Sequence, residues 1–175
     1  MLDAFAGRDG IHVRSVPVFI RALAVVYNSL PVRWQRRILD RTQPRFLVGV
    51  VGLGVDDEGR VLLARHRFGA PQWRFLGGFL APRERLEDAL AREVREETGL
   101  DIEVGPILEA NQGYRWKRVE LVYAYRPRGG VERLSSEVIE LRAFDPADLP
   151  EVRADQRGII ERRARQAAEW ARARR

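Results

Sequence analysis

Three glutamates, Glu93, Glu96 and Glu97, stand close together in the segment PRERLEDALAREVREETG. The proline near the start of this segment, its many helix-forming residues and its final glycine predict a helix of roughly 13 residues. At about 100° per residue, the three side chains fall within an arc of about 100°, and Leu86 and Ala89 fall on the same arc. The pattern therefore predicts that the carboxylates continue the inward-facing stripe of the helix.

Carboxylates on an inward stripe need a cationic partner, because an ionised carboxylate taken out of water alone costs several kcal/mol or becomes protonated. Arg92 and Arg95 stand nearby, and a helix face of salt bridges is one interpretation. On the helical wheel, however, both arginines point about 90° or more from the centre of the carboxylate arc, so we expect them not to neutralise all three glutamates. Mg²⁺ suits clustered oxygen ligands and also takes up substrate phosphates. The pattern therefore favours a divalent metal site that cleaves polyphosphates.

The composition excludes several other kinds of chemistry. The chain has 175 residues, no cysteine and only two histidines, which excludes disulfides, thiol nucleophiles and histidine metal clusters. No apolar run approaches the roughly 20 residues that a membrane span needs, and the N-terminus lacks a secretory signal pattern, which favours a cytoplasmic location. The net charge is +6. Because the arginines are spread along the chain among acidic residues, we interpret this charge as compositional bias and do not expect a nucleic-acid partner.

Residues 1–45 differ from the rest of the chain and predict an N-terminal helical extension. The segments VPVFIRALAVVYNSL and VRWQRRILDR, separated by Pro31, indicate two short helices. Apolar residues beside Arg33, Arg36 and Arg37 would suit an anionic membrane surface. Packing onto the core, or against a second copy in a homodimer, is the interpretation that we favour for these helices.

Residues 46–175 predict one domain with strands on both sides of the carboxylate helix. The strand patterns are FLVGVVGLGV, VLLARHRF and QWRFLGG before it, and IEVGPILEANQGY, KRVELVYAYRP and EVIELRAF after it. The last segment predicts a C-terminal helix whose apolar side consists of Ile159, Ile160, Ala164, Ala167 and Ala168. The order strands, helix, strands, helix predicts an α/β or α+β fold with helices layered around one sheet.

The segment GFLAPRERLEDALAREVREETGL resembles the Nudix box, G-x5-E-x7-R-E-U-x-E-E-x-G-U, in which U is aliphatic. Every position of the box is filled, by Gly78, Glu84, Arg92, Glu93, Val94, Glu96, Glu97, Gly99 and Leu100. The resemblance implies a Nudix fold, an α/β/α sandwich around a mixed sheet, over about residues 46 to 170. It leaves the N-terminal extension unexplained.

The resemblance also implies a metal centre of two or three Mg²⁺ or Mn²⁺ ions. Carried over onto this chain, Glu96 and Glu97 are principal metal ligands, and the backbone carbonyl of Gly77 is a further ligand. Glu93 is a ligand or the base that activates water. Many family members have proline where this chain has Leu76, and we expect this difference to loosen the loop slightly without removing a ligand.

Other parts of the resemblance concern support of the box and a further carboxylate. Glu84 and Arg92 are similar to the ion pair that braces the loop against the helix, and Gly99 provides the helix exit. After the box, SSEVIELRAF resembles a loop and strand in which an additional glutamate serves as base or metal ligand. Glu137 is the better candidate and Glu140 the second, although a solvated loop carboxylate is the alternative for Glu137.

The resemblance implies hydrolysis of a nucleoside diphosphate linked to another group X, giving a nucleoside monophosphate and phosphorylated X. The alternatives are a hydrolase that removes oxidised nucleoside triphosphates and a non-catalytic binding module on the same fold. The residues that mark particular substrates in this family are absent or displaced here. Trp73, Tyr114 and Trp116 could stack on a base, and Arg65 or Arg74 could hold phosphates, with core packing and solvated surface as the structural alternatives.

Overall fold

The computed structural model describes residues 17–113 and 117–174. The chain divides into two compact units, Met1–Arg45 and Phe46–Arg175. The division lies where the sequence pattern changes from helical to strand-like, because the β-rich run FLVGVVGLGV begins at Phe46.

The first unit contains the two predicted helices, α1 (Val18–Ser29) and α2 (Val32–Thr42). Each follows a proline, Pro17 or Pro31, whose fixed φ suits the start of a helix. No side chain of either helix is buried. Within the described part of the chain, no helix combines the length and apolar character needed to cross a membrane.

The second unit is built on a seven-stranded sheet. The strands are β1 (Leu47–Val55), β2 (Val61–His66), β3 (Trp73–Arg74), β4 (Leu76–Phe79), β5 (Leu100–Gly113), β6 (Arg118–Gly130) and β7 (Val138–Phe144). Their order in the sheet is β3-β2-β1-β6-β5, with β4 pairing with β1 and β7 with β2. Strands β1 and β6 are parallel and the other pairs are antiparallel. The sheet is therefore mixed, as predicted.

Helices α3 (Leu86–Thr98) and α4 (Ala154–Arg172) cover the two faces of this sheet. Side chains of β1 alternate between the faces, so that Val50 packs in one apolar cluster with Leu90 of α3. Val51 belongs to the other cluster, with Ile160 of α4. The predicted α/β/α sandwich is confirmed. The five residues predicted for the apolar side of the C-terminal helix are all buried.

The predicted third strand, QWRFLGG, is in fact two strands. The first part, β3, pairs with β2, whereas β4 pairs with β1. Between them, the buried Phe75 donates its backbone N–H to Oε1 of Gln156 at 3.0 Å. Because that amide bonds to a side chain and not to a neighbouring strand, the ladder is interrupted there. The change of partner brings Gly77 and Gly78 beside the central strand β1.

Candidate metal centre

Helix α3, which carries the three glutamates, ends at Gly99, and Glu97 in its last turn lines a cleft. Gly99 has a φ of 76°, and its N–H donates to the carbonyl of Arg95 at 2.8 Å. A Cβ at this position would lie 2.4 Å from the carbonyl oxygen of Val131. Glycine is required here because the left-handed conformation and this close backbone contact both disfavour a side chain.

The three glutamates of α3 lie in different environments. Oε2 of Glu97 is buried and has no hydrogen-bond partner among the described residues. The Glu93 side chain is 18% exposed and that of Glu96 is 60% exposed. The prediction of an inward stripe is therefore wrong for Glu96. The buried side of α3 is centred near Leu90 and Val94, which places Glu96 at the outer edge of the carboxylate arc.

Arg92 reaches more of the carboxylates than the helical wheel indicated. Its Nε and Nη2 donate to the two oxygens of Glu84 at 2.8 and 3.0 Å. Its Nη1 donates to Glu93 at 2.9 Å and to Glu96 at 3.3 Å. Arg92 reaches these two glutamates because its long side chain folds along the helix surface. The expectation that the arginines do not neutralise all three glutamates still holds, since Arg92 makes no hydrogen bond to Glu97 among the described contacts.

Glu84 and Arg92 also hold the loop that precedes α3. Glu84 accepts the backbone N–H of Ala81 at 3.0 Å, and Nη2 of Arg92 donates to the carbonyl of Phe79 at 3.2 Å. The hydrogen bonds from Arg92 and then from the Ala81 amide hold the pKa of Glu84 below its ordinary value. The pair thus ties the loop to the helix, the arrangement that the resemblance implies.

Burial raises the pKa of Glu97 to about 7. Hydrogen bonding from the Gly77 backbone opposes this shift, the negative charges of Glu93 and Glu137 add to it, and the positive charge of Arg74 lowers it. The charged form of Glu97 is destabilised in this position. A cation beside the carboxylate would stabilise the charged form.

Two glycines of β4 let the backbone and the carboxylates approach closely. Gly77 has a φ of 144°, and a Cβ there would lie 2.2 Å from the carbonyl oxygen of Val50. A Cβ at Gly78 would lie 2.3 Å from the carboxylate carbon of Glu93. The absence of side chains at these positions leaves room for the Glu93 carboxylate directly against β4.

The loop after β6 joins the site through backbone hydrogen bonds to the end of α3. The N–H of Ser135 donates to the carbonyl of Glu97 at 2.9 Å, and that of Arg133 donates to the carbonyl of Thr98 at 2.7 Å. These bonds bring Glu137 to the same cleft as Glu97. The alternative glutamate, Glu140, instead pairs with Arg142.

A cleft of about 270 Å³ lies between β4, the end of α3 and this loop. Arg74 lines it, as the phosphate-binding prediction requires, and Nε of Arg74 is buried without a hydrogen-bond partner in the described part of the chain. Arg65 is not in the lining and donates to Oε1 of Gln72 at 2.9 Å. Trp73 packs edge-to-face on Phe144, with ring centroids 4.9 Å apart. The predictions for Tyr114 and Trp116 fall outside the described residues.

His66 also lines the cleft, a position that no sequence pattern predicted. It is 8% exposed, and its Nε2 has no hydrogen-bond partner in residues 17–113 and 117–174. Burial, followed by the charge of Arg74, lowers its pKa to about 4, so the imidazole is neutral near pH 7. A lone histidine in a strand carries no motif, and only the fold shows which side chains it faces.

A second and larger cleft, of about 910 Å³, adjoins the first. Arg118, Glu120 and Arg153 line both clefts. Arg118 forms an ion pair with Glu120, and Arg153 donates to Asp155 at 2.7 Å. Burial and the charge of Arg153 lower the pKa of Arg118. Sequence reasoning missed these residues because the start of β6 and the start of α4 meet only in the folded chain.

The side chains do not form a ready-made metal cluster. Within residues 17–113 and 117–174, no three His, Asp or Glu side chains are grouped so that they could hold a metal ion as they stand. Glu93 and Glu96 are bonded to Arg92, whereas Glu97 keeps a buried oxygen without a partner. The donors are of the type that divalent cations prefer. The buried and unpartnered oxygen of Glu97 is therefore the atom of this site that fits a cation as the site stands.

Carboxylates that can hold a metal, beside arginines that can bind phosphate, suit the hydrolysis of phosphate compounds. Residues 45–163 match the family model of the NUDIX domain. The chain therefore belongs to the Nudix family of hydrolases, whose members generally use a divalent metal. The resemblance drawn from the box is confirmed, and so is the prediction that the chain is an enzyme of this family.

Several known proteins are similar to this chain. A MutT-like protein of Streptomyces ambofaciens is 38% identical over 112 residues, which cover 64% of this chain and 72% of that protein. An RNA pyrophosphohydrolase of Teredinibacter turnerae is 36% identical over 53% of this chain, which spans about half (55%) of its length. The crystal structure of an ADP-ribose pyrophosphatase from Streptococcus suis has a TM-score of 0.60 at 22% identity, covering 69% of this chain and 93% of that one. The last similarity concerns the fold alone.

Proposed function

We propose that the chain hydrolyses a phosphoanhydride bond in a nucleoside diphosphate linked to another group X, with Mg²⁺ or Mn²⁺ as cofactor. The products are a nucleoside monophosphate and phosphorylated X. The observation that carries this proposal is Glu97, whose buried and unpartnered carboxylate oxygen lies at a cleft lined by arginines. An ionised carboxylate with one oxygen buried and unpartnered is costly, and a bound cation would reduce that cost.

In this proposal, Glu96, Glu97 and the Gly77 carbonyl hold the cation, and Glu93 is either a further ligand or the base. A bound divalent cation would offset the phosphate charge and lower the pKa of a bound water. Glu137 lines the same cleft and is the second candidate for the base. Glu137 can receive a proton from an attacking water without leaving its loop, since the bonds to α3 fix that loop.

The positions of the arginines set the orientation of the substrate along the two clefts. Arg74 offers a buried and unpartnered Nε for the phosphate nearest the carboxylates. Arg118 and Arg153, on the wall shared by both clefts, would bind the next phosphate. The larger cleft, at about 910 Å³, then accommodates the nucleoside or X. The proposal places the scissile bond at the smaller cleft.

The test is Mg²⁺-dependent hydrolysis across a panel of nucleotides, with the products separated by chromatography. The panel contains nucleoside diphosphates linked to sugars and to second nucleosides, and ordinary and oxidised nucleoside triphosphates. We expect nucleoside monophosphate and phosphorylated X from at least one diphosphate compound, and a loss of at least about a hundredfold in Glu97→Gln.

The matched control is Glu132→Gln, which removes an exposed carboxylate outside the cleft lining and should leave the rate unchanged. Turnover of none of these compounds would contradict the proposal, and so would an unaffected Glu97→Gln variant. Pyrophosphate released only from triphosphates would assign the chain to the alternative reaction.

A further inference from the structure

The excess positive charge of the chain is concentrated in its first unit. Residues 1–45 contain eight arginines and three aspartates, a net charge of +5, whereas residues 46–175 contribute only +1 of the chain's +6. The arginines themselves are spread along the chain, but in the second unit acidic residues balance them. The first unit is therefore the part of the molecule that an anionic partner would attract.

Helix α2 separates its charges from its apolar side chains. At about 100° per residue, its charged side chains occupy an arc of about 140°, and its apolar ones lie on the other side. The charged residues are Arg33, Arg36, Arg37, Asp40 and Arg41, and the apolar ones are Val32, Trp34, Ile38 and Leu39. At the boundary, the Arg37 guanidinium lies 5.2 Å from the centre of the Trp34 ring. A basic face, an apolar face and a boundary tryptophan are the features of helices that lie in a membrane interface.

Helix α1 is apolar around most of its circumference. Its sequence is VFIRALAVVYNS, in which Arg21 and Asn28 form one narrow polar stripe. Because no side chain of α1 or α2 is buried, neither helix covers the apolar side of the other. With 12 residues, α1 is about 18 Å long, much shorter than the roughly 30 Å of a bilayer core. It can therefore insert partly but cannot span.

Charge complementarity decides between the partners that could cover these helices. A second copy would bring an equal charge of +5 against the first, and the second unit, at +1, offers no complementary charge. A nucleic acid offers phosphates, and bases that could stack on Trp34, but no aliphatic surface for Ile38 and Leu39. A bilayer of anionic phospholipids offers both negative headgroups and an apolar interior.

We propose that α1 and α2 bind the surface of anionic phospholipid membranes, with the apolar sides inserted and the arginines of α2 among the headgroups. The sequence alone favoured packing against the core or a second copy. Neither helix covers the apolar side of the other, and this, together with the +5 charge, favours the membrane instead. This proposal does not depend on which phosphate compound the second unit hydrolyses.

The test is flotation of the full chain with vesicles. We use phosphatidylcholine alone and phosphatidylcholine mixed with phosphatidylglycerol at a ratio of about seven to three. We expect binding to the mixed vesicles, weakening as salt is raised, and little binding to phosphatidylcholine alone. The triple variant Arg33→Glu/Arg36→Glu/Arg37→Glu should bind at least about tenfold more weakly. A second variant, Trp34→Ala/Ile38→Ala, should lose binding while its charge is unchanged.

The control Arg133→Glu/Arg165→Glu/Arg172→Glu makes the same charge change on exposed residues of the second unit and should bind as the parent does. Far-UV circular dichroism checks that each variant is folded. Absence of binding to anionic vesicles would overturn the proposal, as would equal weakening in the control. A dimer seen by light scattering without lipid, and lost in Trp34→Ala/Ile38→Ala, would assign the apolar sides to a second copy. Tighter binding to single-stranded RNA than to vesicles would assign the arginines to nucleic acid.

Discussion

Replacing Glu97 with glutamine should stabilise the metal-free protein at alkaline pH, by about 1–3 kcal/mol in the free energy of unfolding above about pH 8. Burial raises the pKa of Glu97 to about 7, from an ordinary value of 4.5. At alkaline pH, the carboxylate of the parent must therefore carry a negative charge, which its buried environment destabilises. Glutamine has nearly the same shape and carries no charge. Urea unfolding in the presence of a chelator, followed at several pH values, measures the difference.

The direction of the pH dependence follows from the raised pKa. The folded parent holds a proton on Glu97 that the unfolded chain releases near the ordinary pKa of 4.5. The stability contributed by this proton is present below that value and is lost as the pH rises through about 7. The two proteins should therefore converge in stability near the lower value. Glu132→Gln is the control, and equal stability of parent and Glu97→Gln at all pH values would contradict the assigned environment of Glu97.

The second large effect is expected for Gly78→Ala, which should lower the hydrolysis rate by about 10- to 100-fold while the protein stays folded. The new Cβ would lie 2.3 Å from the carboxylate carbon of Glu93. That carboxylate is the end of a flexible side chain, so we expect it to move away from β4 at little cost to folding. Steady-state hydrolysis of a substrate from the panel, together with thermal unfolding, separates the two effects.

The neighbouring glycine provides the contrast. Gly77→Ala places a Cβ 2.2 Å from the backbone oxygen of Val50 at a φ of 144°. Because the backbone cannot move aside, we expect the free energy of unfolding to fall by about 3 kcal/mol or more. Gly113→Ala, whose Cβ would lie 3.8 Å from its nearest neighbour, should leave the stability unchanged. Full activity in Gly78→Ala would show that the position of Glu93 is not required.

Local patterns in the sequence predicted most of the fold. A β-rich run before a hairpin signal predicted β1, and the five apolar residues of α4 are buried because helical spacing places them on one side. The break in QWRFLGG could not be predicted, since it depends on Gln156, which lies far along the chain. The same holds for the pairing of β4 with β1, which only the whole sheet determines.

The site could be predicted only as far as its residues are adjacent in sequence. The spacing of Glu93 and Glu97 on one helix was enough to indicate clustered carboxylates. The reach of Arg92 was underestimated, because the helical wheel describes where a side chain begins and not where a long one ends. His66 and Arg118 lie on separate strands and face one cleft only in the folded chain.

The most direct test of the central claim is titration of the protein with Mn²⁺, followed by the loss of the free-ion signal in electron paramagnetic resonance near neutral pH. This measurement needs no substrate. We predict saturable binding to the parent and to Glu132→Gln, and binding at least about tenfold weaker in Glu97→Gln. Equal binding of Mn²⁺ to the parent and to Glu97→Gln, or no binding to either, would contradict the claim that the carboxylates of α3 hold a divalent cation.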